Sequence, residues 1–292
     1  MQIETRPASE ALNLTDDGRM SERGLHGEPV NARIIHRQAI ERRLRHALAQ
    51  DAFELVYQPK VALQTGKTTG FEALIRWRDA ELGNVSPATF VPIAEELGLI
   101  NQISRWVINR ACAQSREWQD CGVPPLPISV NISGQDFLRC DFPDFVTSVL
   151  LEYNISPQYL ELEITEGVLI ENLETARVML EELRRVGLTI ALDDFGTGYS
   201  SLAYLHRIPI DTLKIDRSFI ENITNDWNSA AITSGVITLS HILNLNVVAE
   251  GVETEEQVEL LKDQNCNEVQ GRAYSMPLDP AAALRWMANR NA

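Results

Sequence analysis

The feature that most constrains this chain is a recurrence. Short apolar runs of strand character alternate with longer stretches of helical period. The runs are "FELVYQP" (53–59), "TGFEALIRW" (69–77), "PISVNIS" (127–133), "YLELEIT" (159–165), "LTIALDD" (188–194), "DTLKID" (211–216), "LNVVAE" (245–250) and a short one near "EVQG" (268–271). Between the later ones lie "PATFVPIAEELGLINQISRWVINRACAQSREWQ", "NLETARVMLEELRRVG", "NSAAITSGVITLSHILN" and "TEEQVELLKDQN". Strands that are apolar almost throughout are covered on both faces, and helical crossovers make their neighbours parallel. Eight such strands predict an α/β fold, a (β/α)8 TIM-type barrel, and 292 residues suit one barrel. The first connection breaks the pattern. About ten residues separate the first two runs, too few for a helical crossover, so that pair is expected to be antiparallel.

Residues 1–30 are polar, contain Gly and Pro, and show no sustained period. They read as a flexible N-terminal tail or interdomain linker, with the barrel domain at 31–292. The stretch "NARIIHRQAIERRLRHALAQ" then sets Ile40, Leu44, Ala47 and Leu48 on one helical face and carries five arginines against one glutamate. No aromatic residue is interleaved, so it reads as a helix packed on the domain or leading in from a neighbour, not as a nucleic-acid arm.

Barrel enzymes build their sites at the C-terminal ends of the strands. Here those ends carry Asn131, Glu163, the pair Asp193 and Asp194, Lys214 with Asp216, Glu250 and Gln270, while Glu72 lies inside the second run. If the barrel closes, these groups converge on one mouth. So many carboxylates together raise one another's pKa unless cations are present. An oxygen donor set without His or Cys points to hard divalent ions, Mg²⁺ or Mn²⁺. Adjacent aspartates suit two ions about 3.5–4 Å apart, the arrangement that clamps both oxygens of an in-line phosphoryl displacement.

The motif "EALIR" (72–76) resembles the signature of the EAL domains, the bacterial phosphodiesterases of cyclic di-GMP. The resemblance runs from about residue 35 to the end, through "YQP" (57–59), "SPATFVPIAEELGLI" (86–100), "VNIS" (130–133), "ELEITE" (161–166), "DDFGTGYSSL" (193–202), "LKIDRSFI" (213–220), "AEGVET" (249–254) and "QG" (270–271). It implies a (β/α)8 barrel with one antiparallel strand. It assigns one metal ion to Glu72, Asn131, Glu163 and Asp193 and a second to Asp193, Asp194 and Glu250. A water held between the ions would attack a phosphate of the cyclic dinucleotide and open it to linear pGpG.

The same resemblance makes Lys214 a general base or an orienter of that water, with Asp216 beside it as orienter or supporting group. Arg76 would hold a substrate phosphate, Leu74 and Pro277 would line the substrate site, Gln58 would reach a guanine, and Gln270 would stand near the centre. Glu166, and by similarity Glu253, would anchor the loop "DDFGTGYSS", which in the family ties metal binding to dimerisation. One departure stands out. The family's "QGY-x-F-S-K-P" is "QGRAYSMP" here, with Arg272 and Met276 in place of the aromatic and the lysine.

The expected function is therefore a metal-dependent cyclic di-GMP phosphodiesterase. The alternative is a catalytically weak EAL domain acting as a cyclic di-GMP receptor, although the motif residues such degenerate members lose are all present here. A homodimer and upstream sensory or cyclase domains are the expected partners. With 26 Lys and Arg against 41 Asp and Glu, a formal charge of −15, nucleic acid polymers are not expected. The chain has no signal-peptide h-region, and its greasiest late stretch is interrupted by Ser, His and Asn, so no membrane insertion is expected. Four scattered cysteines without C-x-x-C spacing fit reduced thiols and a cytoplasmic location, whether free or as part of a membrane-tethered protein.

Overall fold

A computed structural model describes residues 28–50, 52–196 and 205–290. By its contacts the chain divides into Met1–Ala39 and Ile40–Ala292. Of the first unit only the start of a helix, Glu28–Ala49, is described, so the expected tail lies almost wholly outside the described residues. In the second unit Ile40, Leu44 and Ala47 of that helix are buried, the face that the spacing predicts.

Nine strands are described: β1 (Phe53–Ala62), β2 (Thr68–Asp79), β3 (Gly83–Val85), β4 (Ile128–Asn131), β5 (Leu160–Thr165), β6 (Thr189–Phe195), β7 (Thr212–Ile215), β8 (Asn246–Ala249) and β9 (Glu268–Val269). Their order is β1-β9-β8-β7-β6-β5-β4-β2-β3, and β1 also pairs with β2, which closes eight strands into a barrel with β3 appended. From β2 through β4 to β9 the barrel pairings are parallel, while β1 runs against both β2 and β9. The barrel and its antiparallel strand are those expected. The tight β1–β2 turn uses Gly66 at φ +68, a conformation cheap only without a Cβ.

Helices cover the outside. The longest helical run of the sequence divides into Pro87–Glu96 and Ile100–Asp120. Gly98 at φ +66 ends the first: its N–H and that of Leu99 donate to the carbonyls of Glu95 and Ala94, the left-handed closure that satisfies orphaned carbonyls. Beneath these helices Phe53, Trp77, Phe90 and Trp106 form a cluster with ring centroids 5.5–6.0 Å apart. This packing holds β1 and β2 against the helical layer, at roughly 2–3 kcal/mol for each large side chain buried. All four cysteines are free thiols.

Candidate active site

Registers set the level of each side chain. Glu72 on β2 pairs with Gln58 on β1 and with Ser129 on β4; Asn131 pairs with Glu163 on β5, and Thr165 with Asp193 on β6. Inward-pointing residues of successive strands thus form one layer near the mouth. At its centre stands Lys214 of β7, whose side chain is 1% exposed. Its Nζ lies 2.6 Å from Glu163 Oε2, 2.6 Å from Glu250 Oε1, 3.2 Å from Asp193 Oδ1 and 3.6 Å from Glu72 Oε2. Asn131 Nδ2 donates to Glu72 Oε1 at 2.7 Å, and Gln270 Nε2 donates to Glu72 Oε2 at 2.5 Å and to Gln58 Oε1 at 3.2 Å.

A regular strand would send Asp193 and Asp194 to opposite faces. Two features of β6 change that. Between the pairs Leu192–Leu213 and Phe195–Ile215 the register shifts, so that Asp193 and Asp194 together stand opposite Lys214 alone. Asp194 also adopts φ +56, a left-handed conformation that aspartate tolerates better than most residues. This bulge keeps Asp194 within the field of the cluster: burial raises its carboxyl pKa, and the Asp216 charge adds to the rise.

The electrostatics follow from that crowding. Burial raises the Glu72 carboxyl, with Glu163 adding to it, and burial raises Asp193 as well. Glu250 is pushed up to about 8, by burial first and against the pull of Lys214. Burial favours the neutral lysine, yet Glu163, Glu250, Glu72 and Asp193 outweigh it and hold Lys214 well above its usual value. Glu163 behaves oppositely: burial opposes its ionisation, but Lys214 and Lys60 bring it down to about 2.

Among the described residues no three His, Cys, Asp or Glu side chains surround one metal position; the acids close on the Lys214 ammonium instead. The donor set nevertheless fits divalent ions. It offers only oxygen ligands, and Glu72, Glu163, Asp193 and Glu250 outnumber the two ammonium groups that touch them.

The remaining expected residues fall round the mouth. Arg76 is half-buried, its Nη1 donates to the Ile75 carbonyl at 2.9 Å, and it borders two cavities. One, of about 380 Å³, is also lined by Leu74, Val91, Pro92, Val107 and Asn131; the other, of about 580 Å³, by Glu54, Arg78, Asn84 and Ser86. Gln58 Nε2 donates to the Ser275 carbonyl, and Pro277 precedes Leu278, whose backbone pairs with Tyr57. Among the described residues the ion-pair partners of Lys214 are Glu72, Glu163, Asp193 and Glu250, and Asp216 is turned elsewhere. Its Oδ1 accepts from the N–H and hydroxyl of Ser218 and caps the short helix Arg217–Ile220. Glu166 is buried and accepts from the Gly196 N–H at 3.4 Å. Glu253 is held by Arg217 and by Arg272, the residue that departs from the family pattern; Met276 is exposed. Residues 197–202 of the expected loop lie outside the described residues.

The sequence reading passed over Lys60, Glu161 and Ser129. Lys60 Nζ contacts Glu161 Oε1 at 2.5 Å and Glu163 Oε1 at 3.1 Å, and Ser129 Oγ donates to Glu161 Oε1 at 2.6 Å. The signal was present: period-two alternation puts Lys60 on the face of Gln58, and Glu161 on that of Glu163.

A family model described as "EAL domain" matches residues 41–277. The bifunctional diguanylate cyclase/cyclic di-GMP phosphodiesterase MucR of Pseudomonas aeruginosa is 43% identical over 255 residues, covering 87% of this chain and 37% of MucR. The cyclic di-GMP phosphodiesterase NbdA of the same organism is 41% identical over 263 residues, covering 87% of this chain and 34% of NbdA. The solved PaMucR phosphodiesterase in complex with c-di-GMP matches with a TM-score of 0.79 at 43% identity, over 82% of this chain and 98% of that one. The chain spans well under half the length of these curated relatives.

Proposed function

The chain belongs to the EAL domain family, and on that premise we propose that it is a phosphodiesterase that opens cyclic di-GMP to linear pGpG. The observation that carries this reading is the convergence of Glu72, Glu163, Asp193 and Glu250 on one buried cation, with Asp194 brought beside them by the β6 bulge.

In this reading Glu72, Asn131, Glu163 and Asp193 hold one Mg²⁺ or Mn²⁺ ion, and Asp193, Asp194 and Glu250 hold a second. Two such ions supply Lewis-acid charge and lower the pKa of a nearby water. The protein's part is positional. Asn131 and Gln270 fix the Glu72 carboxylate through both oxygens. Lys214 Nζ serves the attacking water from the centre of the acidic layer, as hydrogen-bond donor or as proton acceptor. Arg76, at the junction of two cavities, binds a phosphate of the dinucleotide, and Leu74, which lines one of them, contacts it as well; Gln58 and Pro277 are assigned to its bases by the family resemblance alone. Asp216 acts through the helix it caps, and Glu166 through the Gly196 backbone at the root of the loop.

Residues 31–292 form the phosphodiesterase domain of a longer protein in this proposal, joined to further signalling modules and assembling as a homodimer in the cytoplasm. Among the described residues no helix is long and apolar enough to cross a membrane. The second reading is a receptor that binds cyclic di-GMP without turnover. Incubation of the purified chain with cyclic di-GMP and Mg²⁺ or Mn²⁺ separates the two. The proposal expects linear pGpG, abolished by EDTA. Tight binding with no product under any metal condition would establish the receptor instead.

A further inference from the structure

Below the acidic layer lies a second polar layer that the proposed chemistry does not use. Lys60, 4% exposed, projects from β1 into the barrel, where its cross-strand partner on β2 is Gly70. That glycine adds no side chain, so the lysine stem has room; a Cβ there would stand 2.9 Å from the Pro127 carbonyl oxygen. Lys60 Nζ binds Glu161 below and Glu163 above, each through Oε1. Glu161 is further held by Ser129 Oγ at 2.6 Å and by Thr212 Oγ1 at 3.2 Å, beside a small cavity of about 70 Å³.

The consequence falls on Glu163. Its two carboxylate oxygens are divided between two lysines, Oε1 to Lys60 and Oε2 to Lys214. Lys214 stands among the acids proposed to bind metal, so its contacts must rearrange when a divalent ion enters. Lys60 approaches from the opposite side, and its contact with Oε1 survives that rearrangement. With Oε1 committed, only Oε2 faces the mouth. Glu161 has a further effect: it neutralises Lys60, so the donor is present without subtracting negative charge from the layer above.

Resting on the metal-site reading above, we propose that Lys60 is a positioning residue that clamps one oxygen of Glu163 and presents the other to the cation. Groups that orient a metal's ligands change affinity when they are removed, by about 10- to 100-fold. A lysine that only neutralised Glu161 would not.

The test is Mn²⁺ binding, followed by the electron paramagnetic resonance signal of free Mn²⁺, on wild type, Lys60→Met and the double variant Lys60→Met/Glu161→Gln. Circular dichroism and Tm are measured on each. Lys60→Met leaves Glu161 buried without its cation and is expected to lower Tm, a loss the double variant relieves. Mn²⁺ affinity is expected to fall by about tenfold or more in both variants, since neither holds Glu163 Oε1. A double variant that binds Mn²⁺ as wild type does would overturn the inference, because Lys60 would then serve only Glu161. Wild-type protein that binds no Mn²⁺ would instead overturn the metal-site reading, and this inference with it.

Discussion

Glu72 is the residue on which the candidate site closes. Its carboxylate takes one donor from Asn131 and one from Gln270, and lies 3.6 Å from Lys214. Glu72→Ala should reduce cyclic di-GMP turnover by about 10²–10³-fold or more, the scale of losing one preorganised charged group. The far-UV circular dichroism should stay unchanged, because Lys214 keeps Glu163, Asp193 and Glu250. Turnover at the wild-type rate would sink the assignment.

A second residue-scale expectation concerns Asp136, fully buried in the short helix Gly134–Phe137. Burial pushes its carboxyl up to about 6, against the opposing charges of Arg105 and Arg139. In the unfolded chain the group loses its proton near pH 3.9. Between about pH 4 and 6 the folded state holds the extra proton, so stability declines as pH rises through that window. The loss is on the order of 1–2 kcal/mol. Asp136→Asn should therefore be more stable than wild type at pH 7 by about 1 kcal/mol, with the difference vanishing below pH 4. Urea titrations at the two pH values would check this, and an equal ΔΔG at both would refute it.

At the scale of elements, β6 shows what one-dimensional reading can and cannot supply. Two aspartates at the end of an apolar run were legible, as were the strand ends bearing Asn131, Glu163, Lys214 and Glu250. The bulge was not, because it arises from the pairing of β6 with β7, a relation between distant segments. Asp216 shows the converse: its sequence position beside Lys214 suggested a partner, but a local N-cap captured it first, as aspartates before short helices tend to be captured. Glu166 joins the helix Glu166–Glu171 to the end of β6 through the Gly196 N–H. Glu166→Ala should weaken metal binding by loosening that joint, lowering activity about tenfold at limiting Mg²⁺ and regaining part of it at high Mg²⁺. Activity indifferent to Mg²⁺ would count against the joint. Gly271 is tighter still, since a Cβ there would lie 2.0 Å from the Val252 carbonyl oxygen, which is backbone and cannot swing aside. Gly271→Ala should cost about 3 kcal/mol and lower Tm by roughly 5–10 °C in a calorimetric scan.

For the molecule as a whole, the barrel was readable because its evidence is periodic and repeated. Eight apolar runs at strand length, alternating with helical stretches, leave few other closed arrangements, and the short β1–β2 link marked the one reversed strand. Lys60 was not legible as a site residue because β1 runs backwards and places its last residues at the floor, away from the strand ends that form the mouth. The acidic surplus also predicts a bulk property: cations bound to the folded state alone stabilise it by mass action. Mn²⁺ at about 100 times its dissociation constant should add about 2.7 kcal/mol and raise Tm by roughly 5–10 °C over the EDTA-treated protein. An unchanged Tm would argue that the acids bind no metal. The reversal of β1 has one more effect. Phe53 pairs with Trp77 near the rim, and Arg43 of the preceding helix bridges to Asp79, the last residue of β2, and to Glu81 beyond it. The polypeptide therefore enters the barrel on the side that carries the candidate site. Arg43 thereby buckles the end of that helix to the same strand that carries Glu72 and Arg76, a clasp fastened at the rim and not at the floor.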